Sequence, residues 1–145
     1  MSGKFRLLVA EDREDDCILL RQAIAKSGLD IAATFVHDGQ EVINYLTVCA
    51  RHQQVLPTLL LLDLGLPEVS AIEVLEWIRA RPELAELIVI IWSSSLDPNK
   101  RRASYERGAS MFIPKPADWS RLDTMVKTLY RFARDRDLME DGFGI

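Results

Sequence analysis

A chain of 145 residues, 48% apolar and 28% charged, fits a single globular domain with one sizeable core. Its formal net charge of −4 argues against a general binder of nucleic acid or of anionic membrane surfaces, which would carry a basic excess. No signal-peptide pattern and no apolar run of bilayer length is present, so a cytoplasmic location without a membrane or nucleic-acid partner is expected.

Short apolar runs alternate with amphipathic stretches. Phe5–Ala10 reads as a strand, and Glu14–Ser27 as a helix with Cys17, Leu20, Ala23 and Ile24 on one face. Ser27-Gly28 supplies a stop. Ile31–Val36 is a second strand, His37-Asp38-Gly39 a turn, and Gln40 to about Arg51 a second helix. A loop, Arg51–Pro57, leads to Leu59–Leu62, a wholly apolar run that stops at Asp63. A third helix is expected over about Ala71–Arg79, a fourth strand over Leu87–Trp92, and a fourth helix from Asp97-Pro98 to Arg107. Trp92 is expected to pack on that fourth helix. Met111–Ile113 forms a short fifth strand before Pro114-Lys115-Pro116, and Trp119–Arg134 a last helix.

Apolar strands without alternation imply a parallel sheet covered on both faces. The reading is an α/β flavodoxin-like (βα)5 fold, strand order 2-1-3-4-5, over one domain at 1–145. Its core spans about 5–134; a short tail, 135–145, is too small for an output domain. Cys17 and Cys49 stand apart from each other and from any His at metal-ligand spacing along the sequence. They read as small apolar residues in a reducing compartment.

In such a sheet, ligands bind beyond the carboxyl ends of the strands, where the strand order reverses. Strand one ends in Glu11-Asp12 and strand three in Asp63. Three carboxylates converging there would repel one another unless a hard divalent cation such as Mg²⁺ neutralised them. Strand four ends in Ser93, a hydroxyl for a phosphate oxygen, and strand five in Lys115, a cation. Singly, each has an ordinary structural explanation: a helix cap, a loop-starting Asp, a solvated lysine. Together, in strand order, they suit transfer of a phosphoryl group to a carboxylate. The turn after strand one, Ala10–Glu14, has no glycine and three negative charges, which excludes a glycine-rich nucleotide cradle.

The segments Val9–Asp12 (VAED), Leu59–Pro67 (LLLLDLGLP), Trp92–Ser95 (WSSS) and Gly108–Pro116 (GASMFIPKP) resemble the receiver domains of response regulators, over about Phe5–Arg134. The resemblance implies Asp63 as phospho-acceptor, with Mg²⁺ on Asp12, on the Gly65 carbonyl and, through water, on Glu11. It also implies Ser93 as the switching hydroxyl, Phe112 as the switching aromatic, Lys115 on the phosphoryl oxygens and a cis Lys115–Pro116 peptide. A sensor histidine kinase is the implied partner. The Glu-Asp pair, the loop at 51–57 and the missing output domain are similar to small regulators paired with bacterial and cyanobacterial phytochrome kinases. A homodimer through helix 4, strand 5 and helix 5 is expected, on a face carrying Lys100, Arg101, Arg102 and Tyr105.

The chain is thus expected to signal by a phosphorylation-dependent surface change rather than to act as a turnover enzyme. Glu68-Val69-Ser70-Ala71 departs from the family's usual Asp-Gly after the loop proline, and Ala71 tolerates positive φ less cheaply than Gly. That departure is the one support for an alternative, a pseudo-receiver module that is never phosphorylated. A third possibility, a dehalogenase-type phosphatase, would place its nucleophile after strand one in a D-x-D pattern, which Glu11-Asp12-Arg13 lacks.

Overall fold

The computed structural model describes residues 4–52, 55–95 and 97–138. The elements in chain order are β1 (Phe5–Ala10), α1 (Glu14–Ser27), β2 (Ile31–Val36), α2 (Gly39–Arg51), β3 (Leu59–Asp63) and α3 (Ala71–Arg79). Then follow β4 (Ile88–Ser93), α4 (Pro98–Glu106), β5 (Met111–Pro114) and α5 (Leu122–Leu138). All strands pair in parallel, in the order β2-β1-β3-β4-β5.

The three central strands are buried almost end to end, as their non-alternating apolar sequences require. Their side chains still divide between two layers. Leu8, Ala10, Leu60, Leu62, Val89 and Ile91 face the layer of α2 and α3, while Leu7, Val9, Leu59, Leu61, Ile90 and Trp92 face that of α1 and α5. Trp92 therefore does not pack on α4. It stacks edge-on against Trp119 at 6.3 Å, because strand alternation turns it to the opposite face from Val89 and Ile91.

Helix starts follow local chemistry. Asp38, Ser70 and Asp97 each cap a helix through a side-chain oxygen, with Pro98 in the first turn of α4. Arg13 gives α1 no side-chain cap; three acidic residues, Glu14, Asp15 and Asp16, instead occupy its positive end. The last helix is shorter at its start than the sequence suggested. Trp119–Arg121 form a 3-10 turn, capped by Asp118, before α5 begins. A second such turn, Pro82–Leu84, lies between α3 and β4.

Arg79 ties the far end of α3 into the sheet. Its guanidinium donates to the carbonyls of Gly108 at 2.9 Å, Ala85 at 2.9 Å and Leu87 at 2.8 Å. Gly108 (φ +106) leaves room for it, since a Cβ there would meet the Arg79 side chain.

One expectation about special backbone geometry is corrected. No described peptide bond is cis, so Lys115–Pro116 is trans, the isomer an X–Pro bond ordinarily favours. The loop after β3 carries positive φ on Glu68 (φ 65), and Ala71, which takes such geometry less cheaply than Gly, does not adopt it. Ala71 is already the first helical residue behind the Ser70 cap, where right-handed geometry is required.

Candidate functional site

Parallel register assembles the site. Ala10 pairs with Leu62, so the next residues, Glu11 and Asp63, leave the sheet side by side. Ser93 pairs with Pro114, so Lys115 leaves one step beyond Ser93, its N–H donating to the Ser93 carbonyl at 2.8 Å. Glu11, Asp12, Asp63, Ser93 and Lys115 thus meet at one end of the sheet, as their places in the sequence suggested.

Asp12, Asp63, Gly65, Ser93 and Lys115 line a cleft of roughly 300 Å³, with Lys100 of α4 also on its wall. Asp12 is exposed, whereas Asp63 and Glu11 are buried. Asp63 Oδ1 accepts from the Gly65 N–H at 3.1 Å, and Asp63 Oδ2 lies 3.4 Å from Lys115 Nζ. The same ammonium lies 2.7 Å from Glu11 Oε1 and 3.0 Å from Asp16 Oδ2. Burial pushes the Glu11 carboxyl up to about 7, despite the opposing Lys115 hydrogen bond and with a smaller upward push from Asp63.

One carboxylate oxygen from each of Glu11, Asp12 and Asp63 falls within a mutual 4.8 Å. This is an all-oxygen, multiply anionic donor set, which fits a hard divalent cation and not a soft one.

Ser93 Oγ accepts from the Ser95 N–H at 2.9 Å. Ser95 Oγ in turn accepts from Asp97 N–H at 3.2 Å, and Asp97 Oδ1 from Asn99 N–H at 2.9 Å. Phe112 lies inside the α2–α3 layer, 8% exposed, with its N–H donating to the Tyr105 hydroxyl at 3.0 Å.

Two site features escaped the sequence. Asp16 looks like one more acid in the first turn of α1, and only the reach of Lys115 reveals its role. Cys17 also has a histidine neighbour after all. A His37 ring nitrogen, the Cys17 sulfur and a Glu14 oxygen lie within 4.8 Å of one another. Cys17 Sγ and His37 Nδ1 both contact the Glu11 carbonyl, at 3.6 and 3.1 Å. Both side chains thus brace the Glu11 backbone, and burial pushes the Cys17 thiol up to about 11.

The family model described as the response regulator receiver domain matches residues 7–127. The chain belongs to that family. Among solved structures, the receiver domain is similar to the phosphorylated cyanobacterial phytochrome response regulator RcpA. Identity is 30% and the TM-score 0.78, over 90% of this chain and 94% of that one. It is also similar to a response regulator in red light signaling of R. palustris, at 26% identity and a TM-score of 0.80, over 88% of this chain and 92% of that one.

Among curated proteins, it is 28% identical to response regulator Rcp1 of Synechocystis sp., over 87% of this chain and 86% of that protein. A structure of Rcp1 is described as its Mn²⁺-bound form (27% identity, TM-score 0.77, covering 90% of this chain and 94% of that one). The receiver domain is therefore a two-component response-regulator module whose relatives include phytochrome response regulators. No described helix is long and apolar enough to cross a membrane.

Proposed function

We propose that this receiver domain accepts a phosphoryl group on Asp63 from a sensor histidine kinase, with Mg²⁺, and signals by a change in surface rather than by enzymatic turnover. The observation that carries the reading is the convergence of Glu11, Asp12, Asp63 and Lys115 at one cleft. The similarity to the cyanobacterial phytochrome response regulator RcpA favours a phytochrome kinase as the donor.

Asp63 is the nucleophile. A carboxylate oxygen forms the new P–O bond as the P–N bond of the kinase phosphohistidine breaks, and the leaving imidazole takes the electron pair. A carboxylate brings its own lone pair, so positioning and charge compensation take the place of a general base. Asp12, Asp63 and the Gly65 carbonyl, with Glu11 behind them, would hold the divalent cation, which when bound supplies positive charge against the phosphoryl oxygens. Lys115 adds a fixed ammonium 3.4 Å from Asp63. Ser93 Oγ keeps its proton for donation to a phosphoryl oxygen, because its bond to Ser95 uses a lone pair.

Output runs through α4, β5 and α5, linked to Ser93 by the Ser95–Asp97–Asn99 hydrogen bonds and to Phe112 by Tyr105. Lys100, Arg101, Arg102 and Tyr105 are exposed on this face and suit a homodimer contact. Light scattering with and without beryllofluoride tests the dimer; a monomer in both conditions removes it.

The acceptor is tested by intact mass after incubation with acetyl phosphate and Mg²⁺. One adduct in the wild type, absent in Asp63→Asn and abolished by EDTA, is expected. No adduct from acetyl phosphate or from a purified histidine kinase would favour the pseudo-receiver alternative.

A further inference from the structure

Three carboxylates face the Lys115 ammonium, and they are not equivalent. Glu11 and Asp63 belong, with Asp12, to the oxygen cluster that fits a divalent cation. A cation there competes with Lys115 for both, and Asp63 changes charge and shape once it is phosphorylated. Asp16 lies outside that cluster. Its Oδ2 is 3.0 Å from Lys115 Nζ, and the residue is only 6% exposed.

The rest of the lysine is held as well. Its backbone N–H is bound to Ser93, and its ammonium sits 4.9 Å from the centroid of the Trp92 ring. Asp16 supplies the remaining direction, anchoring the charged tip from the start of α1. An unbalanced anion here would oppose an incoming phosphoryl group. Arg13 Nε, 3.5 Å from Asp16 Oδ2, offsets that charge. Arg13, Asp16, Lys115 and Asp63 therefore alternate in sign.

We propose that Asp16 is a positioning residue for phosphoryl transfer, holding the Lys115 ammonium beside Asp63 while the divalent cation occupies the other carboxylates. This rests on the reading of Asp63 as acceptor. It assigns Asp16 a role separate from metal binding.

The test compares wild type, Asp16→Asn, Lys115→Ala and the double variant, at saturating Mg²⁺. The readouts are the initial rate of adduct formation from acetyl phosphate and the affinity for beryllofluoride. Asp16→Asn is expected to lower both about tenfold, a coupling typical of residues in direct contact. The Mg²⁺ concentration at half-effect should change by less than about threefold, because Asp16 is no metal ligand.

In the Lys115→Ala background, Asp16→Asn should change nothing further. An equal loss in both backgrounds would mean that Asp16 acts through the fold, and no loss in the single variant would mean that it does nothing for Lys115; either overturns the proposal. Urea unfolding of each variant follows the fold, and the Lys115→Ala comparison cancels any generic loss. A wild type that takes no adduct from acetyl phosphate or a histidine kinase overturns the acceptor reading itself, and this inference with it.

Discussion

Lys115 Nζ and Glu11 Oε1 lie 2.7 Å apart, joining residues 104 positions apart in the chain. Glu11 is fully buried and its carboxyl is pushed from 4.5 to about 7, chiefly by desolvation. The sign follows from linkage. A carboxyl raised in the folded state favours folding at acid pH, and that contribution is lost as pH rises from 4.5, where the unfolded chain ionises, through about 7. In EDTA, Glu11→Gln should therefore gain on the wild type between pH 4.5 and 8, by on the order of 2 kcal/mol in urea unfolding. A gap independent of pH would show that Glu11 titrates normally. By the same competition between proton and cation, Mg²⁺ should bind more tightly at pH 8 than at pH 6.

Gly39 opens α2 against the loop that follows Asp63. A Cβ at this position would fall well inside van der Waals contact distance of the Val69 carbonyl oxygen, and the Gly39 N–H donates to the Pro67 carbonyl at 3.5 Å. The neighbour is backbone, so no side chain can swing aside. Gly39→Ala should cost about 2 kcal/mol by urea unfolding, in the range of overpacked sites. Wild-type stability in this variant would mean that the 67–69 loop yields freely.

Glu68 holds φ 65 with a full side chain. Left-handed backbone costs a residue with a Cβ about 1–2 kcal/mol, part of which Gly recovers despite its greater freedom when unfolded. Glu68→Gly should therefore raise stability by about 0.5 kcal/mol. A lowered urea midpoint would show that the Glu68 side chain contributes more than its backbone costs.

Arg79 binds three carbonyls from two separate connections, next to Gly108. Arg79→Ala leaves those acceptors without their charged donor and should cost about 2 kcal/mol. Arg79→Lys should recover only part, since an ammonium cannot match the fork of the guanidinium. Full recovery by lysine would reduce the role of Arg79 to its charge.

The architecture is legible because the central strands run apolar into their chemistry: Leu7–Ala10 into Glu11, Leu59–Leu62 into Asp63 and Ile88–Trp92 into Ser93. Parallel pairing then places those ends together almost automatically. What was not legible depends on side-chain reach across the fold. Asp16 carries the same local signal as Glu14 and Asp15, a helix-dipole acid, and only a lysine about a hundred residues away distinguishes it. His37 and Cys17 look unrelated until the parallel pairing of β1 with β2 and the first turn of α1 bring them to the Glu11 carbonyl. The layer that Trp92 joins is illegible because a wholly apolar strand hides its own alternation. The left-handed backbone of Glu68 carries no local signal, because neither Gly nor Asn marks the position.

The hydrogen bonds at Ser93, Ser95 and Asp97 share one form: a side-chain oxygen receives the amide two residues on. Every second residue from the tip of β4 to the first turn of α4 is thus coupled to the next through main-chain geometry. In the switching proposed above, a displacement of the Ser93 hydroxyl would therefore reach α4 one hydrogen bond at a time. Such a tether would slacken wherever one of its short polar groups is lost.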